Sequence, residues 1–426
     1  MVTNAANGLS APADLLDAAE RGDPRGHVLH ASLMFLWACL LSITPAGEGI
    51  AWGLLAAITI LRLPRIWWCY LPVWRDPLWW VLTSWFAWSW LTTLWGPDAM
   101  PVVASGVPDR WLFTPLLVWP TMSRPWLPLI ALAVGGVAHA FAALCLSWNG
   151  GGWGTYGQFQ GLAQLSTLQW QFLAPWVLCA VAIRWCRGPL RAVAVIGLLA
   201  SGTCIWLMAM RNGIIAAVAA LSAVAFRPPP LRARLVPWLL CVAVCVLAVL
   251  ASPAMQRLDE SFELGSRLRE SNRSLEADAA APGGRWLLLQ AAWDIGREHP
   301  WLGGGAGWFA TRLPQWVLAR AAWEGVPPDA IEGLMRGKVI HVHSTPAHEW
   351  VDGGIPSVLL LGTFLAGLAS RLWCQSRSSR VSGAALAVFV VVLLHAPLGI
   401  ITLRMPGALM AICMATAWLG QDRGRA

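Results

Sequence analysis

The sequence predicts an all-α polytopic membrane protein: about twelve transmembrane helices and one long helical segment outside the bilayer. Three observations carry that reading. Only 12% of the 426 residues are charged and 57% are hydrophobic, with a mean hydropathy of +0.57, whereas soluble domains carry about a quarter charged residues. Apolar runs near the length that crosses a bilayer, about 17–25 residues, recur along the chain. Thirty tryptophans exceed the needs of a fold in water. Tryptophan favours the bilayer interface, where its ring is buried and its N–H stays wet.

Residues 1–27 are polar and mixed in charge. They lack the basic start, apolar core and small-residue cleavage site of a signal peptide, and are expected to be a cytoplasmic tail. Nine spans are expected within 28–252, near 28–45, 47–62, 77–95, 109–122, 126–147, 166–184, 192–210, 212–226 and 236–252. Residues 253–353 form the long polar segment. Three further spans fall within 354–420, near 354–372, 384–403 and 405–420, before a tail at 421–426. Prolines and glycines gather between spans, as in RPPPLRARL at 227–235, where they end helices. None of the ten cysteines lies in 253–353, and no pair has zinc-finger spacing, so no disulfide framework is expected.

Arginine sets the orientation. With the N-terminus inside, the inner turns hold Arg21, Arg25, Arg62, Arg65, Arg75, Arg124, Arg184, Arg187, Arg191, Arg227, Arg232, Arg234, Arg371, Arg377, Arg380, Arg423 and Arg425. The short outer turns hold only Arg110, Arg211 and Arg404. Seventeen against three places both termini in the cytoplasm and 253–353 outside; long loops cross regardless of charge. Arginine on the minority side is costly near hydrocarbon and a functional candidate. Arg110 and Arg404 fit equally well as helix-end residues that snorkel. Arg211 joins two spans almost without a loop (LMAMRNGIIAAV), which leaves little room to snorkel and favours function.

Within the outer segment, GGRWLLLQAAWDIG places Trp286, Leu289 and Trp293 on one helical face, with Arg285 opening the helix. The unpaired N–H groups of such a start suit a phosphate; spacing alone favours an amphipathic helix lying on the membrane, with Arg285 at the headgroups. The run HPWLGGGAGWF at 299–309 has no preceding strand, so a tight turn packed under aromatic residues is expected rather than a dinucleotide loop. A second helix is expected from 310 and a third over 329–336.

The stretch HVHSTPAHEWVDGG, 341–354, admits four readings. His341, His343 and His348 as zinc ligands need a tetrahedral array that Pro346 interrupts. An H-E-x-x-H protease motif fails because Asp352 stands where the second ligand belongs. A solvated loop is the commonest fate of such a segment. The fourth reading makes one histidine a general base, with a proton affinity suited to neutral pH.

A resemblance favours the fourth. His343-Ser344-Thr345-Pro346-Ala347, Asp352, Gly354 and Ile355-Pro356 are similar to the H-N-x-x-L-x-x-x-x-E-x-G-x-p-G pattern of the O-antigen ligase and polymerase superfamily, with spacing kept from His343 to Gly354. Ser344 replaces the usual asparagine, Ala347 leucine, Asp352 glutamate and Ser357 the last glycine. Residues Pro300 to Phe309 resemble the family's P-x-x-G-x-G-x-G-x-F segment, and Arg211 resembles its S-R-G-type arginine. The resemblance covers roughly 195–420 and the twelve-span plan.

It implies a GT-C-like glycosyltransferase in the bacterial inner membrane, multi-pass among membrane lipids, with the site facing the periplasm. The donor is then a glycan on undecaprenyl diphosphate and the acceptor, for a ligase, lipid A–core. Polymerases transfer to another lipid-linked repeat, and protein O-oligosaccharyltransferases to serine or threonine. Length and the single compact outer segment favour the ligase. A transporter of the same lipid needs inverted repeats and mid-membrane charges, and the spans show neither; His139 and His395 read as helix-packing residues. The resemblance assigns the diphosphate to Arg211 and Arg285 and the base to His343, with His341 as its understudy. Arg110 and Arg404 remain further substrate-binding candidates. Asp352 is expected to cap the next helix, and no metal, cofactor or nucleic acid is expected.

Overall fold

The computed structural model describes residues 11–97, 107–149, 169–207, 285–324, 342, 344–396 and 404–420. Among them every regular element is helical. The α-helices are α1 Pro12–Gly22, α2 Pro24–Ile43, α3 Pro45–Ile66, α4 Leu71–Trp74, α5 Pro77–Leu91, α6 Val107–Val118, α7 Leu127–Asn149, α8 Gln169–Trp185 and α9 Pro189–Leu207. After the outer segment begins come α10 Arg285–Gly296, α11 Trp308–Glu324, α12 Thr345–Ser376, α13 Arg380–His395 and α14 Arg404–Trp418.

Four stretches are long and apolar enough to cross a membrane: Pro24–Ile43, Ala46–Trp74, Leu127–Cys145 and Thr345–Ser376. Shorter apolar helices cover Leu112–Thr121, Phe172–Trp185, Pro189–Ile205, Arg380–Leu394 and Met405–Trp418. Each expected span within the described residues falls on a helix, as a polytopic membrane protein requires; those at 212–226 and 236–252 lie outside the described residues. Ile60, Leu61, Leu190 and Leu199 point outward, which suits acyl chains. Helices suit that solvent too, since they satisfy their own backbone groups.

Two boundaries differ from the sequence reading. The tail expected over 1–27 contains α1, whose Leu15, Leu16 and Ala19 are buried. Their spacing gives a short apolar stripe too small to register in a hydropathy scan. Ahead of the span expected from 354, residues 345–353 are already helical and meet it across a kink. Helix α12 starts at Thr345 with a proline in its first turn, where the missing N–H costs nothing, and Gly354 is a kink within it, at φ 67° and ψ −165°.

Helix α1 is pinned by charge. Arg124 Nη2 and Ser123 Oγ donate to the Glu20 carboxylate at 2.6 and 2.7 Å. Arg62, 2% exposed, donates from Nε to Asp23 at 2.8 Å and from Nη1 to His30 Nδ1 at 2.9 Å. His30 Nε2 then donates to the Leu117 carbonyl at 2.8 Å, which assigns its tautomer. Burial alone would raise the Asp23 carboxyl; hydrogen bonds from Arg62 and the Gly26 N–H outweigh it and hold the group below its ordinary value.

Helix α12 packs along α5, α13 bridges α12 and α14, and α14 lies along α6. Trp418 is central: Trp79 and Trp119 meet its ring edge-on at 6.1 and 5.6 Å. At one end of the α5–α12 pair, the fully buried Asp76 side chain caps α5 by accepting the Leu78 N–H and receives both guanidinium nitrogens of Arg371, at 2.5 and 2.9 Å. At the other end, α10 and α11 pack on α12 around a separate small core that includes Leu288, Ile295, Phe309 and Val351.

Asp76→Ala removes the cap and strands Arg371. The loss should be of the order of 3 kcal/mol, the low end for a broken buried pair, because Arg371 keeps some access to water. Thermal unfolding of the purified chain in detergent measures it, with Asp76→Asn expected to lose less. Equal midpoints for Asp76→Ala and the natural chain would refute this role.

Candidate functional site

Three segments meet at the C-terminal end of α5. The first is the turn over 299–307, between α10 and α11. The second is the end of α5, where the turn Thr92–Leu94 leads to Trp95 and Gly96. The third is the first part of α12, residues 345–354.

The turn lies against α12 through backbone groups. Gly304 N–H donates to the Val351 carbonyl at 2.9 Å, Gly305 N–H to Asp352 at 3.0 Å, and Ile355 N–H back to Pro300 at 3.2 Å. On its other side Ala306 N–H donates to Thr92 at 3.3 Å. Each bond contributes roughly 1 kcal/mol net, and an unmet buried group would cost more. Glycine is what permits the approach. Gly303 and Gly305 have φ of 74° and 92°. A Cβ on Gly303 would lie 2.4 Å from the Asp352 carbonyl oxygen, and one on Gly305 2.4 Å from Gly96 Cα. The Trp308 ring covers Gly304, so this is the tight turn under aromatic residues that the spacing predicts.

Asp352 does cap a helix, but not the next one. Its half-buried carboxylate accepts the N–H groups of Gly307 and Phe309, both at 3.1 Å, and so caps the start of α11. The charge there meets the positive end of the α11 dipole. The kink at Gly354 re-aims the chain and frees Asp352 from the helix it precedes. His348 Nε2 lies 3.8 Å from this carboxylate, beyond hydrogen-bond range.

A second carboxylate braces the kink. Glu349 Oε2 accepts from Ser357 Oγ at 2.5 Å and from the Trp85 indole at 3.0 Å. Trp85 also donates to Ser357 Oγ at 3.1 Å. Glu349 and Ser357 stand on opposite sides of Gly354, and Trp88 donates to the Gly353 carbonyl at 2.7 Å. Two indoles of α5 therefore fix the bend of α12.

Of the residues singled out in the sequence, Arg211, His341 and His343 lie outside the described residues. Arg285 opens α10, Arg404 opens α14 and Arg110 lies in α6, but the side chains of all three are also outside what is described. What the structure describes is the framework on either side of them. Helix α10 also has a buried face that the expected Trp286, Leu289 and Trp293 stripe does not include. Leu288, Ala291, Ala292 and Ile295 are buried, while Trp293 is exposed and rests at the rim against Trp350. The small residues allow α10 to pack closely on α11 and α12. Sequence reasoning missed Trp85, Trp88, Thr92, Gly96 and Glu349, whose partners are distant in the chain. The only available signal was TTLWG, a glycine directly after an aromatic-rich span.

Gly305→Ala adds a Cβ where φ is positive and Gly96 leaves no room, so the clamp must open. The thermal midpoint should fall by several degrees. Gly53→Ala in α3, where a Cβ meets open space, should be neutral or stabilising by up to about 1 kcal/mol. Equal effects of the two substitutions would contradict the clamp.

No curated protein matches this chain. Residues 194–362 match the sequence model of the O-antigen ligase family, a stretch that contains both the glycine turn and the kinked start of α12. The match covers less than half of the chain and is a similarity of that stretch to the family.

Proposed function

We propose that the chain is an O-antigen ligase, moving a glycan from undecaprenyl diphosphate to a sugar hydroxyl of lipid A–core at the periplasmic face of the bacterial inner membrane. One observation carries this reading. Within the family match, the glycine turn and the segment that follows His343 are joined by backbone hydrogen bonds, so residues 344–353 are fixed relative to the C-terminal end of α5. A base presented next to such a segment would gain from its order, since orientation is a large part of catalysis. The excess of arginine on the opposite side supports both termini being cytoplasmic.

In the proposed reaction His343 takes the proton of the acceptor hydroxyl as that oxygen attacks the anomeric carbon. The carbon–oxygen bond to the diphosphate breaks, the carbon is inverted, and undecaprenyl diphosphate leaves with the bonding electrons. The leaving group is already anionic and needs fixed positive charge rather than an acid. Arg211 and Arg285 would supply it, because the guanidinium fork matches phosphate oxygens. His341 is the alternate base, and Arg110 and Arg404 are further contacts for the lipid-linked substrate.

The test uses the purified full chain in nanodiscs with the undecaprenyl-diphosphate-linked glycan and two rival acceptors. Product on lipid A–core without an energy source is expected. Product only on a second lipid-linked repeat would make the chain a polymerase, and no product on either would overturn the transferase reading. His343→Ala should slow transfer by about a hundred- to ten-thousand-fold; undiminished transfer removes His343 as base. Arg211→Ala and Arg285→Ala should each weaken donor binding by roughly ten- to a hundredfold, and unchanged binding removes that arginine from the diphosphate site.

A further inference from the structure

Beside the glycine turn lies a cavity of about 380 Å3, inside the roughly 300–1,000 Å3 range of small-ligand sites. It is lined by Trp95, Glu298 and His299 and by the run from Pro300 through Trp301 and Leu302 to Gly303. None of these side chains has a part in the proposed base or diphosphate contacts.

The walls are rigid and chemically mixed. Trp301 is 73% exposed and Trp95 41%, yet both sit on fixed backbone. The Trp301 carbonyl packs on Gly354, and Trp95 meets Trp88 edge-on at 5.9 Å. Glu298 is forked by Arg312 at 2.9–3.2 Å, which orients the carboxylate and leaves it lone pairs to spare. Arg312 lies over the Trp308 ring at 5.4 Å, and His299 meets the same ring at 5.2 Å.

We propose that this cavity is a subsite for a pyranose ring of the glycan substrate, an assignment that rests on the transferase reading above. A pyranose has one face of C–H groups with slight positive charge, which suits the negative face of an indole. Its edge carries hydroxyls that donate to Glu298 and exchange hydrogen bonds with His299. A diphosphate fits poorly, because the Glu298 carboxylate repels it. An acyl chain has nothing to offer the carboxylate or the imidazole, and their desolvation would go unmatched.

Saturation-transfer NMR on the full chain in nanodiscs, with empty nanodiscs subtracted, tests this without needing transfer. One arm uses the lipid-free, dephosphorylated core oligosaccharide, the other the lipid-free repeat oligosaccharide of the donor. One of them should show saturation of its ring C–H protons, which identifies the substrate that is held. Trp301→Ala and Trp95→Ala should each weaken that binding about tenfold and Glu298→Gln a few-fold. Trp323→Ala, an exposed tryptophan outside the cavity, should leave it unchanged. No signal from either oligosaccharide, or natural affinity in both cavity tryptophan variants, would overturn the subsite. A chain that binds in this way but transfers nothing would refute the transferase reading and leave the subsite standing.

Discussion

The framework at the C-terminal end of α5 depends on one close approach, the contact of the 303–306 backbone with the backbone of 351–354 on one side and of 92–96 on the other. Side chains cannot make that contact, because a Cβ at Gly303, Gly305 or Gly354 would meet neighbouring backbone at about 2.4 Å. Once the glycines allow it, the consequences follow in order. The turn presents Gly307 and Phe309 to Asp352, their N–H groups are satisfied, and α11 starts in a fixed direction. Helix α10 is then held on α11 and α12 by a core of its own.

The bend in α12 is the counterpart of this contact. A straight helix would carry residues 345–353 along the axis of 355–376. Positive φ at Gly354 turns them aside, and Glu349, Ser357, Trp85 and Trp88 hold the angle. The membrane domain thereby dictates where the segment after His343 lies, because α5 supplies both indoles. The far end of the same α5–α12 pair is tied by Asp76 and Arg371, so the two helices are fixed at both ends.

Much of this was legible in the sequence for plain physical reasons. Apolar length marks the spans, and the helices lie where hydropathy puts them. Glycine at 303, 305 and 307 marks a turn that other residues resist. Helix α1 escaped because its apolar stripe is three residues wide. The role of Asp352 was half legible: a carboxylate before a span reads as a cap, but which helix it caps depends on a partner 43 residues away. Glu349 reads as part of a histidine cluster and proves to be a brace for a kink. The Trp85 and Trp88 contacts cross more than 260 residues of sequence, and nothing local marks these two among thirty tryptophans.

Amide hydrogen exchange on the natural chain in nanodiscs probes the central contact most directly. The N–H groups of Gly304, Gly305 and Ala306 sit in a glycine-rich turn that would exchange quickly if it were free, but each donates to a carbonyl of another segment. The account predicts that these three exchange as slowly as the helical amides of 355–376. Exchange at the rate of an open loop would contradict it.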